Sequence, residues 1–249
     1  MGKKADKNAD IKLIDIHTHI LPGVDDGALD LEEAVDLCRI AYENKTRAII
    51  LTPHCRGTYK TEPPVLKAAY TALSQAARKE VPKIALHLGN EVFYHNNLSS
   101  LLTNMQVLPL CDSRYVLLEF SYTAFRSQFT TGIKECLAAG KVPIIAHPER
   151  YEVFRLDRFL VDDVLNMGAL LQLNADSVMG KQGRRIKRFC HKLLRAEKAH
   201  FIASDAHDTK RRSPILLPCY HKVCKKYGEK YAKTLFWRNP YAIIEDNQI

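Results

Sequence analysis

Short runs of β-branched and aliphatic residues alternate with longer stretches in which apolar positions recur at helical spacing, from Ile11 to about Ser213. The short runs read as buried strands and the longer stretches as amphipathic helices packed against them. Strands are predicted at 13–16, 48–52, 84–88, 115–120, 143–146, 169–173 and 201–204. A helix is expected from Leu31, with Asp30 in the capping position and Glu32 and Glu33 in the first turn. Its apolar positions Ala34, Val35, Leu37, Cys38 and Ala41 fall on one face. Further helices are expected at about 62–79, 123–139, 158–167, 182–196 and 214–227, while 98–110 is less regular. Gly140 and Gly168 stand where a helix must end just before a strand resumes.

No linker or low-complexity stretch interrupts this order, so one domain over residues 11–249 is expected, preceded by a polar extension at 1–10. A strand-then-helix unit met seven times reads as an α/β fold with a parallel barrel of about seven strands. A chain of 249 residues suits one such barrel.

In a parallel barrel the functional residues gather where the strands run out, at the C-terminal face. The first predicted strand ends in Asp15-Ile16-His17-Thr18-His19, the second in Thr52-Pro53-His54 and the third in Gly89-Asn90-Glu91. The fourth ends in Glu119-Phe120, the fifth in His147-Pro148-Glu149-Arg150, the sixth in Leu173-Asn174 and the seventh in Ser204-Asp205-Ala206-His207. Six of these seven ends offer a histidine or a carboxylate. His17 and His19 alternate along a strand, so both imidazoles point to one side and can converge on a cation. An HxH pair alone is weak, and His87, His95, His191, His200 and His221 read as structural or surface residues because none has a neighbouring ligand at a strand end. The joint set is what coincidence does not explain. Mixed imidazole and carboxylate donors suit Mn, Fe or Zn better than Mg or Ca, and the lack of cysteine ligands argues against a structural zinc. So many ligands exceed the needs of one ion, which points to two or three ions sharing carboxylates.

Composition narrows the setting. The first ten residues are Lys- and Asp-rich with no apolar stretch, so no secretory signal is expected there, and no run approaches the ~20 apolar residues of a membrane span. The seven cysteines form no CxxC pair, and a cytoplasmic protein with reduced thiols is expected. None is followed six positions later by an arginine, which removes the thiolate mechanism of cysteine-dependent tyrosine phosphatases. The net charge is +9, and 181–195 holds seven Lys or Arg and no acid. Two readings of that stretch stay open: a solvated helix face, or a docking surface for an acidic or phosphorylated tail, an anionic membrane or nucleic acid. Aromatic residues are sparse there, so no nucleic-acid partner is expected.

The motifs resemble the PHP (polymerase and histidinol phosphatase) superfamily, and within it the bacterial manganese-dependent protein-tyrosine phosphatases of capsule and exopolysaccharide loci. The resemblance is carried by the Asp15–Gly27 segment, Thr52-Pro53-His54, Gly89-Asn90-Glu91, Leu117-Leu118-Glu119-Phe120, Ile145–Arg150 and Ala203–His207, in order from Ile11 to about Pro214. Val24-Asp25-Asp26-Gly27 is the most branch-specific part, since other members tend to carry histidine where Asp26 stands. The resemblance implies a distorted parallel (β/α)7 TIM-like barrel, the PHP fold. It further implies three ions, with Mn2+ foremost and Fe or Zn as alternatives. The first would be held by His17, His19, Glu91 and Asp205, the second by Glu91, Glu119 and His147, the third by Asp26, His54 and His207. Arg150 and Arg212 would bind the phosphate, with Arg211 adjacent to the second, and Asp205 and His207 would share the catalytic centre. Cys55 departs from the pattern, because several relatives have a second histidine after the position of His54.

The activity implied is hydrolysis of phosphotyrosine by direct attack of a metal-bridging hydroxide, with no phosphoenzyme. A tyrosinate, with a free pKa of about 10, leaves more readily than a serine alkoxide. The partner implied is a phosphotyrosine protein, a bacterial tyrosine kinase with a phosphorylated tail that regulates capsule or exopolysaccharide synthesis; the oligomeric state is left open. The competing readings are a small-molecule phosphatase of the histidinol phosphatase kind, a PHP nuclease, a more distant amidohydrolase, and a binding module without activity.

Overall fold

The computed structural model describes residues 11–57, 59 and 62–249, so the polar extension expected at 1–10 lies outside the described residues. Nine strands are present among them: β1 (Leu13–Thr18), β2 (Thr46–Leu51), β3 (His54–Cys55), β4 (Ala85–Leu88), β5 (Glu91–Phe93), β6 (Tyr115–Glu119), β7 (Val142–Ala146), β8 (Leu170–Asn174) and β9 (Phe201–Ala203). Every pairing is parallel. The hydrogen-bonded orders are β1-β2-β4 and β3-β5-β6-β7-β8-β9.

The two orders are one wall with a step in it. The second and third predicted strands each appear as two segments, β2 with β3 and β4 with β5. Pro53 has no N–H to give the ladder, which breaks β2 from β3. Across the step, Gly89 N donates to Leu51 O at 2.9 Å and Glu91 N to Pro53 O at 3.2 Å, so the segments stay aligned. The Asn90 side chain acts as a substitute peptide group, donating to Pro53 O at 3.1 Å and accepting from Leu108 N at 2.8 Å. At the other seam, Thr18 bridges Ala206 in parallel, Asp205 N donates to His17 O at 2.9 Å and His19 N to Ala206 O at 2.8 Å. The first strand thus meets the tail of the last, and the fold is a distorted parallel (β/α)7 barrel.

The helices lie where the periodicity puts them, at Leu31–Glu43, Pro63–Glu80, Arg126–Ala138, Leu160–Asn166, Arg184–Arg195 and Leu217–Tyr227. In the first, Asp30 Oδ1 accepts from Glu33 N at 2.9 Å, and the five apolar positions read from the sequence are all buried. Gly140 and Gly168 adopt φ of +69° and +96°, the left-handed conformation that ends a helix. The 98–110 region holds a helix at Leu98–Thr103 and begins a single 3-10 turn at Leu110–Asp112. In Arg184–Arg195 the buried residues are Phe189, Cys190, His191, Leu193 and Leu194, and the basic side chains lie on the opposite, solvent-facing side.

Beyond Tyr227 the pattern predicted no element, yet helices follow at Glu229–Lys233 and Asn239–Ile244, joined by a π-type turn at Thr234–Arg238. They close the N-terminal end of the barrel. Ile243 is buried with Ile14, Ile16, Tyr115, Ile144 and Phe201, while Trp237 and Ile244 pack against the same cluster. Tyr115 Oη donates to Asn247 O at 2.6 Å and the Arg114 guanidinium pairs with Asp246, which fixes the tail across the opening.

Candidate metal centre

At the opposite end, Glu91 stands at the centre of four imidazoles. Its Oε1 lies 3.2 Å from His17 Nε2 and 3.0 Å from His147 Nε2, and its Oε2 lies 2.8 Å from His54 Nδ1 and 3.4 Å from His19 Nε2. His17 Nε2 and His19 Nε2 are 3.3 Å apart, and each is 3.5 Å from Asp205 Oδ1. The register between β1 and β2 shifts between Asp15 and Thr18, an irregularity of the kind that re-aims side chains. Asp26 Oδ1 is 3.4 Å from His54 Nε2 and 3.7 Å from His207 Nε2. Glu119 reaches His54 Nδ1 at 3.6 Å and His147 Nε2 at 4.0 Å. All nine residues named from the sequence therefore meet in one place, and all but Asp26 are buried.

Within that place four overlapping groups each have ligand atoms within 4.8 Å of one another: His19, Asp26, His54 and His207; His17, His19 and Asp205; His17, Glu91 and His147; His54, Glu91 and Glu119. The grouping differs in detail from the three sets the resemblance implied. His54 presents Nε2 to Asp26 and Nδ1 to Glu91 and Glu119, and Glu119 groups with His54 rather than with His147.

The donor set suits cations on electrostatic grounds. Glu119 Oε2 and His147 Nδ1 are buried with no hydrogen-bond partner among the described residues, a costly arrangement for polar atoms in a protein interior. Burial and the neighbouring Glu91 push the Glu119 carboxyl up to about 8. Glu91 is held well below the carboxylate range despite its burial, because His17 and His54 face it. Burial disfavours the imidazolium of His17 and His19, yet Glu91 and Asp205 raise the first, and Asp25 and Glu91 raise the second well above its usual value. Burial takes His147 down to about 4 and His207 to about 2, the latter with help from His19. The carboxylates thus draw positive charge onto His17 and His19, while His147 and His207 are held as neutral donors. That is the demand divalent ions meet.

Several supporting residues had no role in the sequence reading. Asp25 Oδ2 lies 2.7 Å from His19 Nδ1 and accepts from His54 N at 3.0 Å, and Oδ1 accepts from Gly27 N at 3.1 Å. Although burial opposes ionisation, His19 and these donors bring Asp25 down to about 2. A Cβ on Gly27 would lie 1.8 Å from His19 O, so only glycine admits the turn that brings Asp25 and Asp26 to the site. Gln172 Oε1 lies 2.9 Å from His17 Nδ1, and Gln172 Nε2 donates to Asn174 Oδ1 at 2.9 Å. Asn174 Nδ2 in turn donates to Asp205 Oδ2 at 2.7 Å. Such partners fix which ring nitrogen faces a metal. A sequence signal existed: Gln172 and Asn174 alternate on a strand ending at the site, as His17 and His19 do. His147 and Asp205 both adopt left-handed backbone, at φ of +34° and +57°, a strain that clusters at functional positions.

A cavity of about 380 Å³ opens above these residues, with Arg56, Arg150, Arg212, Phe93 and Tyr122 in its wall. Arg150 Nη1 donates to Asp205 Oδ2 at 3.2 Å and Arg212 Nη2 lies 2.7 Å from the same oxygen. Arg212 rather than Arg211 faces inward, because His207 N donates to Arg212 O at 2.8 Å and turns the intervening loop back, leaving Arg211 exposed. Arg56, not singled out from the sequence, lies 3.9 Å from Glu119 Oε2. The five histidines read as structural or surface residues are absent from every group. His200 Nδ1 accepts from Leu171 N at 3.2 Å and His191 Nδ1 pairs with Tyr227 Oη at 2.6 Å. Cys38 and Cys136 are buried thiols pushed up to about 12 by that burial, which makes them poor nucleophiles.

The family model for capsular polysaccharide synthesis, CpsB/CapC, matches residues 13–245. The tyrosine-protein phosphatase CpsB of Streptococcus pneumoniae is 33% identical over 244 residues, covering 95% of this chain and 100% of that protein. Among solved structures, that of the metal-dependent tyrosine phosphatases YwqE from Bacillus subtilis and CpsB from Streptococcus pneumoniae superposes with a TM-score of 0.89 at 32% identity, covering 95% of this chain and 96% of the other. The phosphotriesterase homology protein from Escherichia coli shares the fold alone, with a TM-score of 0.60 at 9% identity over 94% of this chain and 98% of the other.

Proposed function

The chain belongs to the capsular polysaccharide synthesis CpsB/CapC family, and from that premise we propose that it is a metal-dependent protein-tyrosine phosphatase. The observation that carries the reading is the convergence of nine imidazole and carboxylate groups, Glu91 at their centre, beneath a cavity with arginines in its wall. Following the resemblance, we assign His17, His19, Glu91 and Asp205 to a first ion, Glu91, Glu119 and His147 to a second, and Asp26, His54 and His207 to a third, with Glu119 within reach of both His147 and His54. Residues 11–249 act as one catalytic domain in this reading, and residues 1–10 as a polar extension. Manganese is the favoured ion, with iron or zinc as alternatives, because the donors mix nitrogen and oxygen without thiolate.

When bound, the ions supply positive charge that acidifies water and offsets charge on the phosphoryl oxygens. The chain's own residues do the rest. Arg150 and Arg212 share one oxygen of Asp205, and their remaining donors take the phosphoryl group, for which planar guanidinium is suited. Asp25, Gln172 and Asn174 hold His19, His17 and Asp205 in place. The phenolate needs little help from a general acid, with a free pKa of about 10. Among the described residues no helix is long and apolar enough to cross a membrane. We place the protein in the cytoplasm, acting on a phosphotyrosine protein such as a bacterial tyrosine kinase of capsule or exopolysaccharide synthesis.

The test compares the manganese-loaded protein on a phosphotyrosyl peptide, histidinol phosphate and single-stranded DNA. The peptide is expected to be the preferred substrate, before and after thiol alkylation, and the double variant His17→Ala, His19→Ala to be inactive. Preference for either other substrate would reject the reading.

A further inference from the structure

The catalytic cavity continues beyond Phe93. A second groove, of about 510 Å³, is lined by the 93–97 segment, Ser121 and Gln128, and it shares Phe93 and Ser121 with the cavity above the metal centre. The loop after β6 stands beside both and carries two large side chains in solvent, Tyr122 at 48% and Phe125 at 75% exposure. The Arg150 guanidinium lies over the Tyr122 ring, 4.9 Å from its centroid, and the Arg56 guanidinium lies 6.0 Å from that of Phe93. Two aromatic rings, each with an arginine against it, thus line the way down to ligands buried at the cavity floor.

The groove differs chemically from the cavity it joins. Three arginines line the cavity, whereas among the described residues the groove lining contains no Lys, Arg, Asp or Glu. Its polar residues are Tyr94, His95, Ser121 and the amides Asn96, Asn97 and Gln128. Asn97 precedes the helix Leu98–Thr103 without capping it by its side chain, and Gln128 accepts from Phe125 N through Oε1, which leaves its Nε2 hydrogens to donate elsewhere. Neutral amides both donate and accept, as a peptide main chain requires of whatever covers it. A nucleic-acid backbone would call instead for cations.

We propose that this groove receives the polypeptide flanking the phosphotyrosine, and that Phe93 and Tyr122 receive the phenyl ring. The inference rests on the phosphatase reading above. The phenyl ring would lie between Phe93 and Tyr122, its main chain on the groove side and its phosphate on the side of the arginines and the buried ligands.

The experiment measures kcat/KM of the manganese-loaded full chain on a phosphotyrosyl peptide and on p-nitrophenyl phosphate, which carries the aryl ester without a main chain. Asn97→Trp, which fills the groove from an exposed position, is expected to lower the ratio of peptide to p-nitrophenyl phosphate by about tenfold, chiefly through KM. Phe93→Ala and Tyr122→Ala are expected to raise KM for both substrates by about tenfold with kcat within about twofold. The ratio is taken on one sample, so a partly unfolded variant does not distort it. An unchanged ratio in Asn97→Trp would overturn the groove while leaving the phosphatase standing. A wild-type protein inactive on both aryl substrates would remove the phosphatase reading and the groove with it.

Discussion

The two ends of the barrel are built from the same strands to opposite rules. At the N-terminal end Ile14, Ile16, Ile144 and Phe201 close on Ile243 from the C-terminal helices, and apolar side chains fill the space. At the C-terminal end the same strands deliver His17, His147 and Asp205, which lie within a few ångströms of other charged groups. Left-handed backbone at His147 and Asp205, and buried polar atoms on Glu119 and His147 that lack a partner among the described residues, belong to this second end. One end lowers the free energy of the fold through burial. The other spends part of that stability on holding like charges and unpaired donors together, which is tolerable only where function requires it.

If this division holds, substitutions at the two ends separate activity from stability. The largest effect is expected at Glu91, whose two oxygens contact four imidazoles: Glu91→Gln should lower kcat/KM on a phosphotyrosyl peptide by roughly 10³-fold or more, with a matching loss of bound metal by elemental analysis. At the apolar end, Ile243→Ala should cost about 3 kcal/mol in a denaturant titration while kcat per folded molecule stays within about twofold. Ile243 is fully buried there. A fall in kcat comparable to that of Glu91→Gln would dissolve the distinction between the ends.

Smaller effects sharpen it. Gln172→Leu removes the partner of His17 Nδ1, and an orienting role predicts a loss of metal affinity or activity of about 10- to 100-fold, rescued in part by Gln172→Asn. The smallest effect lies at the apolar end and is set by pH. His200 precedes β9, and burial lowers it from the ordinary imidazole value of 6.5 to about 4. Between those values the unfolded chain binds the proton and the folded chain does not, so stability rises with pH across that window. It is fully present above the unfolded value and lost as pH falls toward 4. Protonation would also cancel the acceptor that His200 Nδ1 offers Leu171 N. Denaturation of wild type against His200→Asn at pH 7 and pH 5 should therefore show on the order of 1 kcal/mol more acid destabilisation in the wild type.

Much of this was legible in the sequence because it depends on local pattern. Seven apolar runs marked the strands, and helical spacing from Leu31 gave the buried face at Ala34, Val35, Leu37, Cys38 and Ala41. Ligand-type residues lie at or just beyond the ends of the predicted strands, so their convergence needed only the barrel. What escaped has physical causes. β3 spans only His54–Cys55, too short for any period to register, and the step beside it depends on Pro53 and on Asn90 hydrogen-bonding across strands. The C-terminal helices carry Pro240, Trp237 and a π-type turn, which blur helical spacing. Asp25 looked like a neighbour of Asp26, and only folding shows it against His19 Nδ1 while Asp26 turns to His54 and His207. The distribution of ligands among groups depends on which imidazole nitrogen faces which carboxylate. Spacing along a chain holds no such information.

The polar end as a metal-loaded phosphatase site is tested most directly by measuring bound metal and phosphotyrosine hydrolysis on one preparation, carried through chelation and re-addition of manganese. The expected result is about two to three ions per chain at full activity, loss of both on chelation, and recovery of both together. Full phosphotyrosine turnover by metal-free protein would contradict the account.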